Sequence, residues 1–184
     1  MPQNPASPVR VRFETPFGVM DAEIDVLRAP ITAGNFLSYI DDGAFDGIPF
    51  YRAIRRDNDV RNEGIRIVQA GLAAIDHPRR FAPIAHESTD VTGLRHVAGT
   101  LSMGRYDPGT ASSEFFIVLE DAPQLDARGH VSGDNLGYAA FGKIVRGLDV
   151  ARKINEGATG DTPGVEFMRA QALLTPINVR VRRA

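Results

Sequence analysis

An arginine in the middle of an apolar run, Phe50-Tyr51-Arg52-Ala53-Ile54, is the first residue whose placement demands a chemical reason. Read as a strand, the run puts Arg52 on the same face as Phe50 and Ile54. A guanidinium there is costly to bury unless it is paired or turned toward a cleft. Gln69, in Ile67-Val68-Gln69-Ala70-Gly71, poses the same question one strand later. An ion pair or hydrogen bond across a plain sheet surface would explain either residue alone. The commoner chemistries find little support. The chain has no cysteine, which excludes disulfides, thiolate catalysis and cysteine metal sites. The four histidines, His77, His86, His96 and His130, show no metal-ligating spacing and are expected to be solvated or locally hydrogen-bonded. No Gly-x-Ser-x-Gly elbow is present. Gly137-Tyr138-Ala139-Ala140-Phe141-Gly142-Lys143 imitates seven positions of a phosphate-binding loop. Ile144 then stands where a hydroxyl residue must meet magnesium, and the stretch reads as a strand, so nucleotide binding is set aside.

The elements that must position these residues are mostly short strands. Val9–Glu14 alternates apolar and charged residues, the period of a half-buried strand. Thr15-Pro16-Phe17-Gly18 is a turn, and residues 19–26 return as a second strand, with Met20, Ala22 and Ile24 on one face. Pro30–Ile40 reads as a helix, with proline in its first turn and Ala33, Phe36, Leu37 and Ile40 on one stripe. Strands follow over residues 50–55 and 65–71, separated by a polar insert over 56–64 that is expected to be exposed. Residues 72–97 look irregular. Residues 98–119 read as strand, loop and strand. Gly99, Ser102 and Gly104 keep the first strand small, the loop is rich in Gly, Pro, Ser and Thr, and Phe115-Phe116-Ile117-Val118 forms the second. Taken alone, this is a plain hairpin or one wall of a groove for an extended, uncharged ligand. A glycine-rich loop over 126–137, a strand over 138–145, a helix over 148–156 and a last strand over 177–182 complete the chain. About eight amphipathic strands, none alternating with helices in a βαβ manner, predict a closed antiparallel barrel of mainly β class with two α-helices.

A length of 184 residues fits one domain. The expected division is a loose, Pro-rich leader over residues 1–8 and a single domain over 9–184. The leader lacks the basic and apolar segments of a signal peptide. A formal charge of −2 gives no reason to expect nucleic acid or an anionic membrane as partner. No apolar run approaches the ~20 residues that span a bilayer. A cysteine-free chain suits the cytoplasm and the periplasm equally, so the compartment stays open.

Five blocks then occur in the order seen in one family. They are Phe50-Tyr51-Arg52, Val68-Gln69-Ala70-Gly71, Gly99-Thr100-Leu101-Ser102-Met103-Gly104, Ser113-Glu114-Phe115-Phe116-Ile117 and Phe141-Gly142-Lys143-Ile144-Val145. The sequence resembles the bacterial-type cyclophilins, which are peptidyl-prolyl cis–trans isomerases. The resemblance implies an eight-stranded barrel packed with side chains, with the ligand on its outer face. It implies Arg52, Phe116 and Gln69 as catalytic residues. It implies Ile67, Gly104, Arg105, Leu125 and Tyr138 as substrate-binding residues, Arg105 through its main chain. No cofactor or metal is expected. The implied partners are proline-containing peptides and partly folded proteins, bound by a monomer. Arg66, Glu114 and Gln124 depart from the usual phenylalanine, glutamine and tryptophan, and the insert after Arg52 is long. These departures imply weaker binding of cyclosporin-type inhibitors, and they favour an alternative in which the chain binds proline peptides with little turnover.

Overall fold

A computed structural model describes residues 8–162 and 164–184. Residues 1–7 of the expected leader therefore lie outside the described residues. The first two strands, β1 (Val9–Thr15) and β2 (Gly18–Ile24), form the predicted hairpin. Val11, Phe13, Met20, Ala22 and Ile24 are buried on one side. On the other side Arg12 sits opposite Asp21 and Arg10 opposite Glu23, and both pairs close ion pairs across the strands. The further strands are β3 (Asp46–Ile54), β4 (Ile67–Ala70), β5 (Thr100–Met103), β6 (Phe115–Val118), β7 (Ala140–Arg146), β8 (Thr159–Gly160) and β9 (Ala172–Arg183). Their order is β1-β2-β7-β5-β6-β4-β3-β9, and β9 pairs back onto β1. All pairings are antiparallel, so eight strands close a ring without edges, as expected. The two-residue β8 lies outside the ring, paired to the start of β9.

The described side chains pack the inside of the ring. Phe13, Phe36, Phe45, Phe50, Phe115 and Phe141 fill it, with ring centroids 4.9 Å apart for Phe36–Phe141 and 5.2 Å for Phe36–Phe115. Helix α1 (Pro30–Asp41) buries the predicted stripe Ala33, Phe36, Leu37 and Ile40 in this core. Its free N-terminal amides are met by a distant carboxylate. Glu87 accepts from Ile31 N at 3.2 Å and from Thr32 N at 2.7 Å. Helix α3 (Leu148–Asn155) buries Val150, Ala151 and Ile154. A single-turn helix, α2 (Thr89–Thr92), interrupts the stretch read as irregular. Among the described residues no helix is long and apolar enough to cross a membrane.

Three expectations need correction. β9 begins at Ala172, not 177, and runs through Pro176. The 56–64 insert is not uniformly exposed: Asn58 is buried and Glu63 half-buried. Finally, Arg52 does not share a face with Phe50. The register against β4 steps from Phe50–Ala70 to Arg52–Gln69, so Tyr51 is an extra residue in the ladder. Such a bulge reverses which side the following residues face. Phe50 and Ala53 point into the barrel core, while Ile54 belongs to a second apolar cluster.

Candidate active site

The bulge at Tyr51 turns Arg52 outward, and the ladder then sets its neighbours. Arg52 pairs with Gln69, Gln69 with Phe116 and Phe116 with Ser102. These four residues form one row across β3, β4, β6 and β5. Directly paired residues project from the same side of a sheet, so a guanidinium, an amide and a phenyl ring stand side by side. The second apolar cluster lies along this row. It contains Ile54, Ile65, Ile67, Phe116, Val118, Ala122 and Leu125, with Val131 and Tyr138 against it. The Phe116 and Tyr138 rings meet edge to face at 5.6 Å.

Arg52 is 9 % exposed and is gripped on two sides. Nη1 donates to Gln69 Oε1 at 3.1 Å. Nε and Nη2 both donate to Gln171 Oε1, at 3.0 and 2.6 Å. Gln171 is fully buried, and its Nε2 donates to the Asn58 carbonyl at 3.2 Å. Asn58 in turn donates to Ala53 O and accepts from Arg55 N, so the insert after Arg52 ties back onto the strand it follows. Burial pulls Arg52 below the ordinary arginine value, opposed first by the negative charge of Glu63. Burial also raises the Glu63 carboxyl, against the pull of Arg61 and Arg52. Gln171 was not anticipated, and no local pattern announces it. It lies 119 residues from Arg52, just ahead of a strand that the Thr175-Pro176 pair conceals.

Gly104 lies beside Gln69: a Cβ there would come within 3.4 Å of Gln69 Nε2 and 3.2 Å of Glu114 Cβ. The Arg105 guanidinium is held by partners of its own. It pairs with Asp134 at 2.8 Å, donates to Gly137 O and lies 5.1 Å from the Tyr138 ring centroid. Among the described residues the Arg105 N–H and C=O make no backbone hydrogen bond. The hydrogen bond from Arg105 holds the Asp134 carboxyl well below the usual range. Burial raises the Tyr138 phenol. All eight residues singled out from the sequence thus lie on this face or frame it.

The three departures from the family pattern also find partners. Arg66 donates to Asn155 Oδ1 at 2.9 Å, on α3. Gln124 donates to Gly64 O at 2.7 Å and so anchors the insert. Glu114 pairs with Arg80 at 2.9 Å. One histidine differs from expectation. His96 is buried between Asp126 (2.7 Å) and Ser102 (2.8 Å), with its ring stacked toward Phe116. The trio resembles a nucleophilic triad, but Ser102 is fully buried beside Phe116, its partner across the strands. The His96 ring stacks 6.3 Å from the phenyl ring, and the trio offers no exposed nucleophile. Within the described residues no cluster of three or more acidic or histidine side chains is arranged to hold a metal.

The sequence matches the family described as cyclophilin type peptidyl-prolyl cis-trans isomerase/CLD over residues 10–175. The chain belongs to the cyclophilin family. It is 33 % identical over 150 residues to the peptidyl-prolyl cis-trans isomerase A of Dickeya dadantii (strain 3937), covering 81 % of this chain and 72 % of the relative. It is 32 % identical over 152 residues to the isomerase B of Escherichia coli (strain K12), covering 82 % and 86 %. A crystal structure of a Cryptosporidium parvum cyclophilin type isomerase superposes with a TM-score of 0.68 at 21 % identity, covering 96 % of this chain and 98 % of that one. The same parasite protein was also crystallised in the presence of the dipeptide Ala-Pro. This cyclophilin is therefore a peptidyl-prolyl cis–trans isomerase by family, and a binding module without turnover is not the favoured reading.

Proposed function

We propose that Arg52, Gln69 and Phe116 are the catalytic centre for X–Pro isomerisation, and that Ile67, Gly104, Arg105, Leu125 and Tyr138 frame the substrate groove. The row Arg52–Gln69–Phe116 carries this reading. Two strand spacings, about 9–10 Å, separate its ends, which suits a proline ring on Phe116 with its imide bond directed toward Arg52. Rotation about that bond is opposed by amide resonance, with a barrier of roughly 18–20 kcal/mol. No bond breaks, so the reaction needs neither nucleophile nor metal. The apolar cluster holds the ring while the preceding residue turns. A guanidinium aimed at the imide nitrogen favours the lone pair localised there, which weakens the C–N double-bond character. Because that lone pair is most available in the twisted state, the attraction is strongest there and lowers the barrier. Arg52 suits the task because it keeps its charge and a fixed fork geometry.

The substrates in this reading are proline-containing peptides and partly folded proteins, bound by one copy of residues 9–184. The Ala-Pro dipeptide used with the Cryptosporidium relative is consistent with that class. The Gln124 amide, engaged by the insert, supports weakened cyclosporin-type binding. The deciding experiment is Arg52→Ala in an NMR exchange assay on an Ala-Pro peptide. Loss of one charged transition-state donor is worth about 10²–10³-fold in rate, so kcat/KM should fall by that factor with the fold retained. A variant of near-wild-type activity rules Arg52 out.

A further inference from the structure

Glu114, which stands where the cyclophilin pattern carries glutamine, has a partner for each carboxylate oxygen. Oε1 accepts from Arg80 Nη2 at 2.9 Å, Ser113 Oγ at 2.9 Å and Ala73 N at 3.1 Å. Oε2 accepts from the Tyr51 hydroxyl at 2.5 Å. The pair with Arg80 is mostly buried, with side chains 16 % and 17 % exposed. The carboxylate also packs against the Gly71 backbone, whose φ is +153°; a Cβ there would fall 2.4 Å from Oε2. A side chain there would displace the carboxylate, and the positive φ itself favours glycine.

The chemistry of these groups gives the chain of bonds one direction. A carboxylate only accepts, so the Tyr51 proton points at Glu114. The Tyr51 oxygen is then free to accept, and Gln69 Nε2 donates to it at 2.8 Å. With its nitrogen on that side, the Gln69 amide presents its oxygen to Arg52 Nη1. The bulge makes this possible, because it sets Tyr51 and Arg52 together against Gln69. Burial and the neighbouring charge of Glu114 raise the Tyr51 phenol well above its ordinary value, which keeps the proton the relay uses. A glutamine at 114 accepts or donates equally well. Tyr51 could then turn its proton to Gln69, the amide would flip, and its NH₂ would oppose the guanidinium donor to donor.

We propose that Glu114 is a positioning residue for isomerisation: through Tyr51 it fixes the amide orientation of Gln69, and with it the direction of the Arg52 guanidinium. The proposal rests on Arg52 as the acting group. The test compares Glu114→Gln, Tyr51→Phe and the double variant, both changes being close to isosteric. The readouts are kcat and KM on an Ala-Pro peptide, the Gln69 side-chain NH₂ resonances and the Arg52 Nε–H resonance. Glu114→Gln should lower kcat about tenfold with KM little changed, and should displace both sets of resonances. Tyr51→Phe should cost a similar factor, and the double variant no more than Tyr51→Phe alone, since both act through one path. Multiplying losses, a change confined to KM, or unmoved Gln69 and Arg52 resonances in Glu114→Gln would overturn it. If the native protein proves inactive on the peptide, the reading of Arg52 fails by itself. The resonances then still decide whether Glu114 orients Gln69.

Discussion

Replacing Gln171 with glutamate separates two things Arg52 needs, a full set of hydrogen-bond acceptors and an uncancelled charge. In the native protein the Gln171 oxygen takes two guanidinium protons, at 3.0 and 2.6 Å, in a fully buried setting. Gln171→Glu keeps that acceptor and adds a negative charge. The stronger charge-assisted bonds offset the desolvation of the new carboxylate, as buried ion pairs roughly break even. The Asn58 carbonyl loses one of its two donors, keeping Val60 N at 3.0 Å, and faces an oxygen, a penalty of about 1–2 kcal/mol. At about 2–4 °C per kcal/mol for a chain of this size, the unfolding midpoint should drop by only ~2–8 °C. The effect on catalysis is different. A carboxylate beyond the guanidinium lies roughly 6–7 Å from the imide nitrogen, where it acts on a unit charge by about 2.5 kcal/mol at an effective dielectric of ~20. With half a charge developing at the nitrogen, ~1.3 kcal/mol of stabilisation is lost and the rate falls about tenfold. Gln171→Leu is the counterpart. It strips two donors of their acceptor, costs ~2–4 kcal/mol, and lowers the midpoint by about 5–15 °C. Peptide-exchange NMR and thermal unfolding read both quantities on the same samples. If Gln171→Glu keeps full kcat/KM, the Arg52 charge is not used at the imide nitrogen and the mechanism is wrong.

Two further outcomes follow. Phe116→Ala removes the ring at the centre of the outer apolar cluster, so peptide affinity and turnover should fall together, with a stability loss of about 3–5 kcal/mol; an unchanged NMR titration with a proline peptide contradicts the pocket. Asp134→Asn should lower the unfolding midpoint by about 3 °C at neutral pH by breaking the charge-assisted pair with Arg105. Because the folded-state Asp134 carboxyl is depressed, that contribution is present above the unfolded value of ~3.9 and is lost as pH falls through the folded one. The midpoints of native and variant protein should therefore converge with acidification below about pH 3.9, and a constant difference across that range would show that the pair contributes nothing.

The barrel was legible because alternation is a local signal. Val9–Glu14 and Ile177–Arg182 declare their faces residue by residue, and eight such segments leave few architectures. What alternation does not register is one extra residue. The bulge at Tyr51 is invisible in Phe50-Tyr51-Arg52, so alternation puts Arg52 on the face of Phe50, whereas the two lie on opposite sides of the wall. The burial of Asn58 is hidden for a related reason. Its neighbours Arg56, Asp57 and Asp59 make the insert look solvated, and composition does not distinguish a buried asparagine with four protein partners from an exposed one. Gln171, Glu114 and His96 act across 30 to 119 residues of chain. Such partners are chosen by the closure of the ring.

The two amide acceptors explain how a cation tolerates this position. A buried guanidinium left short of acceptors is destabilising, and a carboxylate clamp against it weakens its outward field. Amide oxygens satisfy the donors and leave the charge in place. Gln69 and Gln171 supply two such oxygens from opposite sides, but an amide is ambiguous, because either end can turn toward a cation. Each glutamine therefore needs a group that claims its nitrogen. Tyr51 does so for Gln69 under the direction of Glu114, and the Asn58 carbonyl does so for Gln171. The insert and the acidic substitution, which looked like unrelated departures from the family pattern, thus do the same job at the two ends of one guanidinium. On the proposed mechanism, altering either one should shift the field at the imide nitrogen.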